Sequence, residues 1–303
     1  MKFSRVIHPE ILIGKRGNGI GRDCINKAAS IIEIRDGGIS ILATDPLEKS
    51  IAELLKKDPI FLKFMILCKL FKEKTSSVYH LNKDFVQTLQ KIEREIPVDI
   101  LPEKFLAYFS FAEYSIFDDE GEVEGGYVCI DIGSSLGMKD EFSNRRILSL
   151  GYVNKSNLPV GPIGALTVPL EGKTISELAN GVIIEDHYSK TKDVDHKKRH
   201  DVFRALINSV IYLFSENPEL EKTLPKEQTG LSSKELVRRG RAINLTTIPI
   251  VFVNKNYKKI IRYSVESTWI ESFPRWQRCG PLNSQVRLIF VSPHERRYKK
   301  DPT

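Results

Sequence analysis

Both tryptophans of the chain lie in one short stretch, W-I-E-S-F-P-R-W-Q-R-C-G-P, which runs from Trp269 to Pro281. Arginines flank the second tryptophan, and more follow before residue 298. Aromatic and Arg side chains most often anchor protein interfaces, and they also stack on bases and neutralise phosphates. No catalytic motif is present in the stretch, so its composition indicates binding. The candidate binding residues are Arg275, Trp276, Gln277, Arg278, Gly280, Arg287, His294, Arg296 and Arg297.

Three interpretations of this stretch stay open. In the first, the tryptophans close the hydrophobic core and the arginines are solvated. In the second, Phe273 and Trp276 stack on bases while the arginines neutralise phosphates. In the third, Trp276 anchors a peptide inside a charged rim, and an exposed strand edge pairs with the extended peptide chain.

Two histidines offer the main alternative chemistry, because His196 and His200 are four residues apart and would share one helix face. Acidic residues precede them from Glu185 to Asp195, but Lys197-Lys-Arg199 stands between them and would repel a divalent cation. No nucleophile motif occurs elsewhere. We therefore predict a protein without metal, cofactor or enzymatic activity. The alternative hypothesis is an RNA-binding or RNA-cleaving protein that uses His196, His200 or His294 with nearby acids.

The charge of the chain is unevenly distributed. Its formal net charge is +7, yet residues 222–303 hold 17 basic and 6 acidic residues, a net charge of +11, against 29 basic and 33 acidic residues in the rest. This segment indicates an acidic or polyanionic partner. The cysteines lack C-x-x-C spacing, and we find neither a signal peptide nor an apolar segment of membrane-spanning length. The sequence predicts a cytoplasmic protein with no membrane partner.

The stretch from Trp269 to Pro281 must be positioned by the rest of the chain, which we divide into three predicted regions. Residues 1–97 are predicted to be mainly helical, 98–221 to form an antiparallel sheet with helices, and 222–303 to form a basic β-rich segment packed on the preceding region. Asp45-Pro46 and Asp58-Pro59 each place an N-cap residue before a proline suited to the first helical turn. A third helix is expected from Asn82 to about Glu95.

Short β-type runs follow Pro97, and they predict strands over Phe105–Phe111, Tyr114–Phe117, Tyr127–Ile132, Arg146–Val153, Ile163–Val168 and Thr247–Val253, with another over Tyr257–Thr268. The acidic run from Asp118 to Gly126 should be the exposed end of a hairpin. Thr174 and Glu177 form a capping box. A helix from about Asp195 to Glu216 has apolar residues at helical spacing and should lie on the sheet, which predicts an α+β fold.

The order of three blocks resembles the anti-CRISPR family typed by the inhibitor that suppresses production of type V-A effector nucleases, with relatives on phages and plasmids. The first block has F-L-A-Y-F-S-F from Phe105 and G-Y-V-C-I-D-I from Gly126, and the second has V-P-L-E-G-K-T-I-S-E-L from Val168. The third has F-P-R-W-Q-R-C-G-P from Phe273 and V-R-L-I-F-V-S-P-H from Val286. The likeness covers residues 105–294. Relatives carry a Gly-His-aromatic step where this chain has Ser272-Phe-Pro-Arg275.

The resemblance implies an adaptor of a mobile genetic element. Such a protein recognises the emerging N-terminal peptide of the effector during translation and causes loss of its message. The implied partners are a nascent polypeptide, the ribosome and possibly the mRNA, in the cytoplasm of a bacterial host. The residues that the resemblance assigns to this role are Trp276, Gln277, Gly280, Arg287 and His294.

Overall fold

A seven-stranded sheet forms the centre of the protein in the computed structural model. Helices cover both of its faces, which confirms the predicted α+β class. The structure describes residues 27–35, 38–74, 77–92, 98–112, 114–118, 121–154, 163–171, 174, 177, 197–223, 250–254, 257, 267–270, 273–279, 285–291 and 294–297. No helix within these ranges is both long enough and apolar enough to span a bilayer.

The described residues form thirteen strands. Two form a hairpin before the large sheet, β1 (Ile32–Arg35) and β2 (Gly38–Ile41). The large sheet contains β3 (Ser77–Leu81), β4 (Phe105–Phe111), β5 (Val123–Ile132), β6 (Arg146–Asn154), β7 (Ile163–Pro169), β8 (Leu220–Thr223) and β9 (Ile250–Val253). Four more strands form two separate ribbons, β10 (Ser267–Ile270) with β13 (His294–Arg297), and β11 (Phe273–Cys279) with β12 (Gln285–Val291).

The large sheet is mixed, whereas the sequence predicted an antiparallel one. Its strand order is β7-β6-β5-β4-β3-β9-β8, and β4 to β7 are antiparallel as expected. Strand β3 runs parallel to both β4 and β9. A parallel pair needs a crossover connection, and residues 82–104 provide it with a short helix between β3 and β4. Strands from all three predicted regions thus meet in one sheet.

Four helices of seven residues or more are described: α1 (Pro46–Lys57), α2 (Pro59–Glu73), α3 (Lys83–Leu89) and α4 (Lys197–Leu213). The predicted caps of α1 and α2 are confirmed. The Asp45 carboxylate accepts from the backbone N of Glu48 at 2.8 Å, and that of Asp58 accepts from the N of Phe61 at 3.0 Å. Glu48 completes a capping box at the start of α1. The box of Thr174 with Glu177 is also present.

Helix α3 ends at Leu89, six residues before the predicted end at Glu95. The buried Asn208 side chain of α4 explains how the helix can stop there. Its Nδ2 donates to the carbonyl oxygens of Leu89 at 2.8 Å and Ile92 at 3.2 Å. A side chain thus satisfies backbone acceptors that a longer helix would have paired internally.

Alternate residues of the strands fill two hydrophobic cores, one on each face of the sheet. Phe109 of β4 belongs to the first core, with α3 and α4. Tyr108, its neighbour in the chain, belongs to the second core, with α1, α2 and the β1–β2 hairpin. Phe64 and Met65 of α2 are fully buried, so this helix is as central as its apolar composition predicts.

The turn between β4 and β5 differs from its prediction in two ways. Residues Tyr114–Phe117 form no strand, because Tyr114 takes a φ of 58° and Phe117 makes only an isolated bridge to Glu122. Furthermore, the acidic turn was expected to be solvated, yet Asp118 and Glu122 are buried. The Asp118 carboxylate accepts from the backbone N of Gly121 at 3.0 Å and from Nδ2 of Asn154. Backbone and amide donors therefore replace the solvent that these acids would otherwise need.

Candidate functional site

The predicted binding residues are divided between the two ribbons. Four of them lie consecutively in β11, from Arg275 to Arg278, and Arg287 lies in β12 opposite Gln277. The other three lie in β13, where His294, Arg296 and Arg297 pair with Ile270, Thr268 and Ser267 of β10. Gly280 lies outside the described residues. We call the β11–β12 pair the binding hairpin, because it carries five of the predicted binding residues.

One face of the binding hairpin packs on the first core. Opposite residues of an antiparallel pair share a face, and here Trp276 lies opposite Leu288 while Pro274 lies opposite Phe290. Leu288 and Phe290 pack against the first core, and Pro274 is buried. Trp276 therefore projects from this inner face.

Aromatic contacts fix the hairpin in place. The ring of Phe290 lies edge-on to Tyr212 of α4, with centroids 5.0 Å apart, and 6.0 Å from that of Phe85 of α3. A backbone hydrogen bond of 3.2 Å from the N of Glu216 to the carbonyl oxygen of Leu288 ties β12 to the segment after α4. The hairpin is thus attached to both helices of the first face.

The opposite face of the hairpin is polar and exposed. Arg275 and Gln277 both lie there, and Nη2 of Arg275 donates to Oε1 of Gln277 at 3.0 Å. This bond uses one of the five N–H donors of the guanidinium group, which leaves donors suited to a carboxylate or phosphate. Trp276 on the inner face is 49% exposed, so its indole lies partly at the surface. Three consecutive residues thus present cationic and aromatic groups on opposite faces of one strand.

One histidine of the alternative hypothesis, His200, is inaccessible in the described structure. His200 is buried in α4, so RNA could reach its imidazole only after a rearrangement of the helix. His196 lies outside the described residues, and the backbone of His294 lies opposite Ile270. Across the described part of the chain, no group of three or more His, Cys, Asp or Glu side chains is placed to hold a metal ion.

A buried histidine that the sequence did not single out lies in the middle of the sheet. Nδ1 of His80, in β3, is 3.3 Å from Oγ of Ser110, and its ring lies edge-on to Phe252. Burial lowers the pKa of His80 to about 4, so the imidazole is neutral at physiological pH. The only sequence signal was its position in the alternating run V-Y-H-L, which marks a strand rather than a site.

The buried thiol of Cys129 is also unsuited to nucleophilic chemistry. Burial raises its pKa to about 12, so it stays protonated at physiological pH. Its position in the middle of β5 leaves it within the second core. It acts there as a small apolar side chain.

The binding hairpin is therefore one part of the described structure where aromatic and cationic side chains are jointly accessible to a partner. Comparison with known proteins adds no family assignment: no protein-family model matches the chain, and a search of curated proteins finds no match either. The resemblance to the anti-CRISPR family stays a prediction that rests on its three sequence blocks.

Proposed function

We propose that the protein is a non-enzymatic adaptor that binds an extended polypeptide through the binding hairpin. The observation that carries this proposal is the pairing of exposed Arg275 with half-exposed Trp276 on a hairpin that Phe290 attaches to the core. Tryptophan and arginine are the residues most enriched at the energetic centres of protein interfaces. Because the described contacts anchor the hairpin from its inner face, Arg275 and Gln277, which are exposed on its outer face, can meet a partner without unfolding of the core.

The division of the two side chains between faces favours a peptide over a nucleic acid. Single strands of nucleic acid stack their bases on aromatic rings inside a groove whose cationic groups follow the phosphates. Here Trp276 and Arg275 point to opposite faces of β11, so a strand laid on one face would meet only one of them. An extended peptide beside the strand sends alternate side chains to both faces and can contact both.

The sequence resemblance extends this proposal to a biological role. The adaptor, encoded by a mobile element, binds the nascent N-terminal peptide of a CRISPR effector nuclease on the ribosome in the bacterial cytoplasm. Engagement then lowers production of the effector through loss of its message. This role needs neither metal nor cofactor. Its support is the order of the three blocks together with the basic segment 222–303, whose net charge of +11 suits a partner rich in acids or phosphates.

The test is recovery of the partner from bacteria that express a type V-A effector nuclease and the tagged full-length protein. After mild crosslinking, copurifying peptides and RNA are sequenced. We expect ribosomes enriched for the effector message, and we expect Arg275→Ala with Trp276→Ala to lower this enrichment by about tenfold or more. The matched control is Arg35→Ala, which removes an exposed arginine from β1.

Two results would contradict the proposal. Unchanged enrichment in the double variant would show that the hairpin is not the binding site. Free RNA without ribosomes, together with RNA cleavage that is lost in His200→Ala, would favour the alternative hypothesis of an RNA-cleaving enzyme.

A further inference from the structure

The edge of β11 that faces away from β12 has a defined hydrogen-bonding phase. The carbonyl of Leu288 accepts from the N of Glu216, which lies outside the hairpin, so this carbonyl points away from β11. Residues of an antiparallel pair alternate between those that bond each other and those whose backbone groups both point outward. Leu288 and its opposite residue Trp276 thus form an outward-pointing pair. The N–H and C=O of Trp276 point to the side of β11 away from β12.

The position of Pro274 agrees with this phase. It lies two residues before Trp276, so any N–H at this position would also point outward, and proline has none. Arg278, two residues after Trp276, has the same phase. Among the described strands β11 pairs only with β12, so no described strand lies beside the outward backbone groups of Trp276 and Arg278. Pro274 limits pairing at the N-terminal end of this edge.

We propose that the partner peptide adds to this edge as a third, antiparallel strand whose side chains alternate between apolar and acidic. This inference rests on the proposed function and names the binding mode and peptide class of the same site. The peptide residue opposite Trp276 lies on the face of the indole and is apolar. Its two neighbours lie on the face of Arg275 and Gln277, where a carboxylate meets the guanidinium group.

In this geometry, different groups of β11 determine the affinity for a peptide and the specificity for its sequence. Backbone hydrogen bonds to Trp276 and Arg278 hold any extended chain, while the two faces of β11 select the side-chain pattern. The described side chains of β11 include one cation and no acid, so the polar face discriminates by charge. A peptide with basic residues in place of the acids would bring like charges beside Arg275.

The first experiment measures binding of synthetic peptides to the full-length protein by fluorescence anisotropy. The probe is a fluorescein-labelled ten-residue peptide that alternates Glu and Val. The controls are a Lys–Val alternation and a peptide of the same composition with all Glu residues before all Val residues. We expect both controls to bind about tenfold more weakly or worse, because the first repels Arg275 and the second cannot satisfy both faces.

The second experiment tests the backbone contact directly. Arg278→Pro removes one outward N–H and should leave the β11–β12 hydrogen bonds intact, while Arg278→Ala removes the same side chain and keeps the N–H. We expect the proline variant to bind the Glu–Val peptide about three- to tenfold more weakly than the alanine variant. Far-ultraviolet circular dichroism and the urea midpoint establish that both variants are folded.

A third measurement leaves the protein unchanged. In an antiparallel third strand, the N–H groups of the Val residues face β11 and those of the Glu residues face solvent. N-methylation of every Val should therefore abolish binding, while N-methylation of every Glu should change it by less than about threefold.

The outcomes distinguish this inference from the proposed function. If nascent peptides are recovered with ribosomes but the two Arg278 variants bind alike, or the two N-methylated peptides bind alike, strand addition is overturned and the adaptor stands. If nascent peptides are recovered but the Glu–Val probe does not bind, the proposed peptide class is overturned. If no peptide is recovered in either assay, or RNA is bound in preference to every peptide, both proposals fail.

Discussion

Phe290→Ala should detach the binding hairpin from the core. The ring of Phe290 makes edge-on contacts with Tyr212 and Phe85, and the side chain is partly buried against the first core. Truncation of a fully buried Phe costs about 3–5 kcal/mol. For this partly buried ring, with two aromatic pairs at about 0.5–1.5 kcal/mol each, we expect the docking of the hairpin to weaken by about 2 kcal/mol. A loss of this size raises the open population of the hairpin about thirtyfold.

Limited trypsin digestion measures this opening, because the hairpin carries Arg275, Arg278 and Arg287 as cleavage sites. When opening is faster than cleavage, the cleavage rate follows the open population, so it should rise by about thirtyfold. Ile289→Ala is the matched control, since its side chain points from the opposite face of the same strand. It should raise cleavage by less than about fivefold, in line with a cost below about 1 kcal/mol.

Equal cleavage rates in Phe290→Ala and Ile289→Ala would refute the assignment of inner and outer faces. The facial division of Trp276 and Arg275 depends on that assignment, so the same result would remove the basis for an alternating peptide. Cleavage outside residues 273–291 in Phe290→Ala would instead show that the substitution loosens the whole first core. Mapping the fragments by mass spectrometry separates these results.

Two further predictions concern the groups that hold the sheet and helices. Burial lowers the pKa of His80 from 6.5 to about 4. Between pH 7 and pH 5, its imidazole therefore becomes protonated in the unfolded chain but stays neutral in the folded protein. The free energy of unfolding should fall by about 2 kcal/mol from pH 7 to pH 5. Urea unfolding at both pH values should show that His80→Gln lacks this contribution, and an unchanged pH dependence would contradict it. Asn208→Leu removes the side-chain donor from the buried carbonyl groups of Leu89 and Ile92, of which Leu89 still accepts from the backbone N of Ile92 at 3.3 Å. It should cost about 1–3 kcal/mol in the same assay. Ser209→Ala, whose hydroxyl bonds only within its own helix, should cost less than about 1 kcal/mol, and equal costs would contradict the capping role of Asn208.

The features that the sequence predicted correctly depend on neighbouring residues. The caps at Asp45 and Asp58 act over three positions, and so does the box of Thr174 with Glu177. The apolar runs of β4 and β6 identified both strands, because such runs bounded by turns are typical of buried strands.

The features that were missed depend on distant residues. Strand β3 is only five residues long and lies between two helices, so its pattern could not distinguish a strand from a loop. Its parallel pairing made the sheet mixed, and nothing near it in the sequence indicates β9 as a partner. Asp118 lies in a run with the composition of a solvated turn, and nothing near it in the sequence indicates that Asn154 of β6 supplies one of its donors.

The sequence predicted which residues make up the candidate site but not how they are arranged in space. The composition of the four consecutive residues from Arg275 to Arg278 predicts a binding segment, and alternation along a strand predicts that Trp276 and Arg275 face opposite ways. Which face is inner was decided by Phe290, which meets helices far away in the chain. The hydrogen-bonding phase of the edge of β11 away from β12 was determined from the bond that Glu216 donates to Leu288, for which the sequence offers no signal.

The pairing of β3 with β9 has a consequence for the protein during its own synthesis. Leu81 pairs with Val253, and the two residues are 172 positions apart in the sequence, since 253 minus 81 is 172. At about 5–20 residues per second, a ribosome needs roughly 10–35 s to make that interval. Throughout this time β3 has one edge without its final neighbour, and such an edge can pair with other chains. The β3–β9 pair can form only after residue 253 is made, so the yield of folded protein should depend on how quickly residues 82–253 are translated.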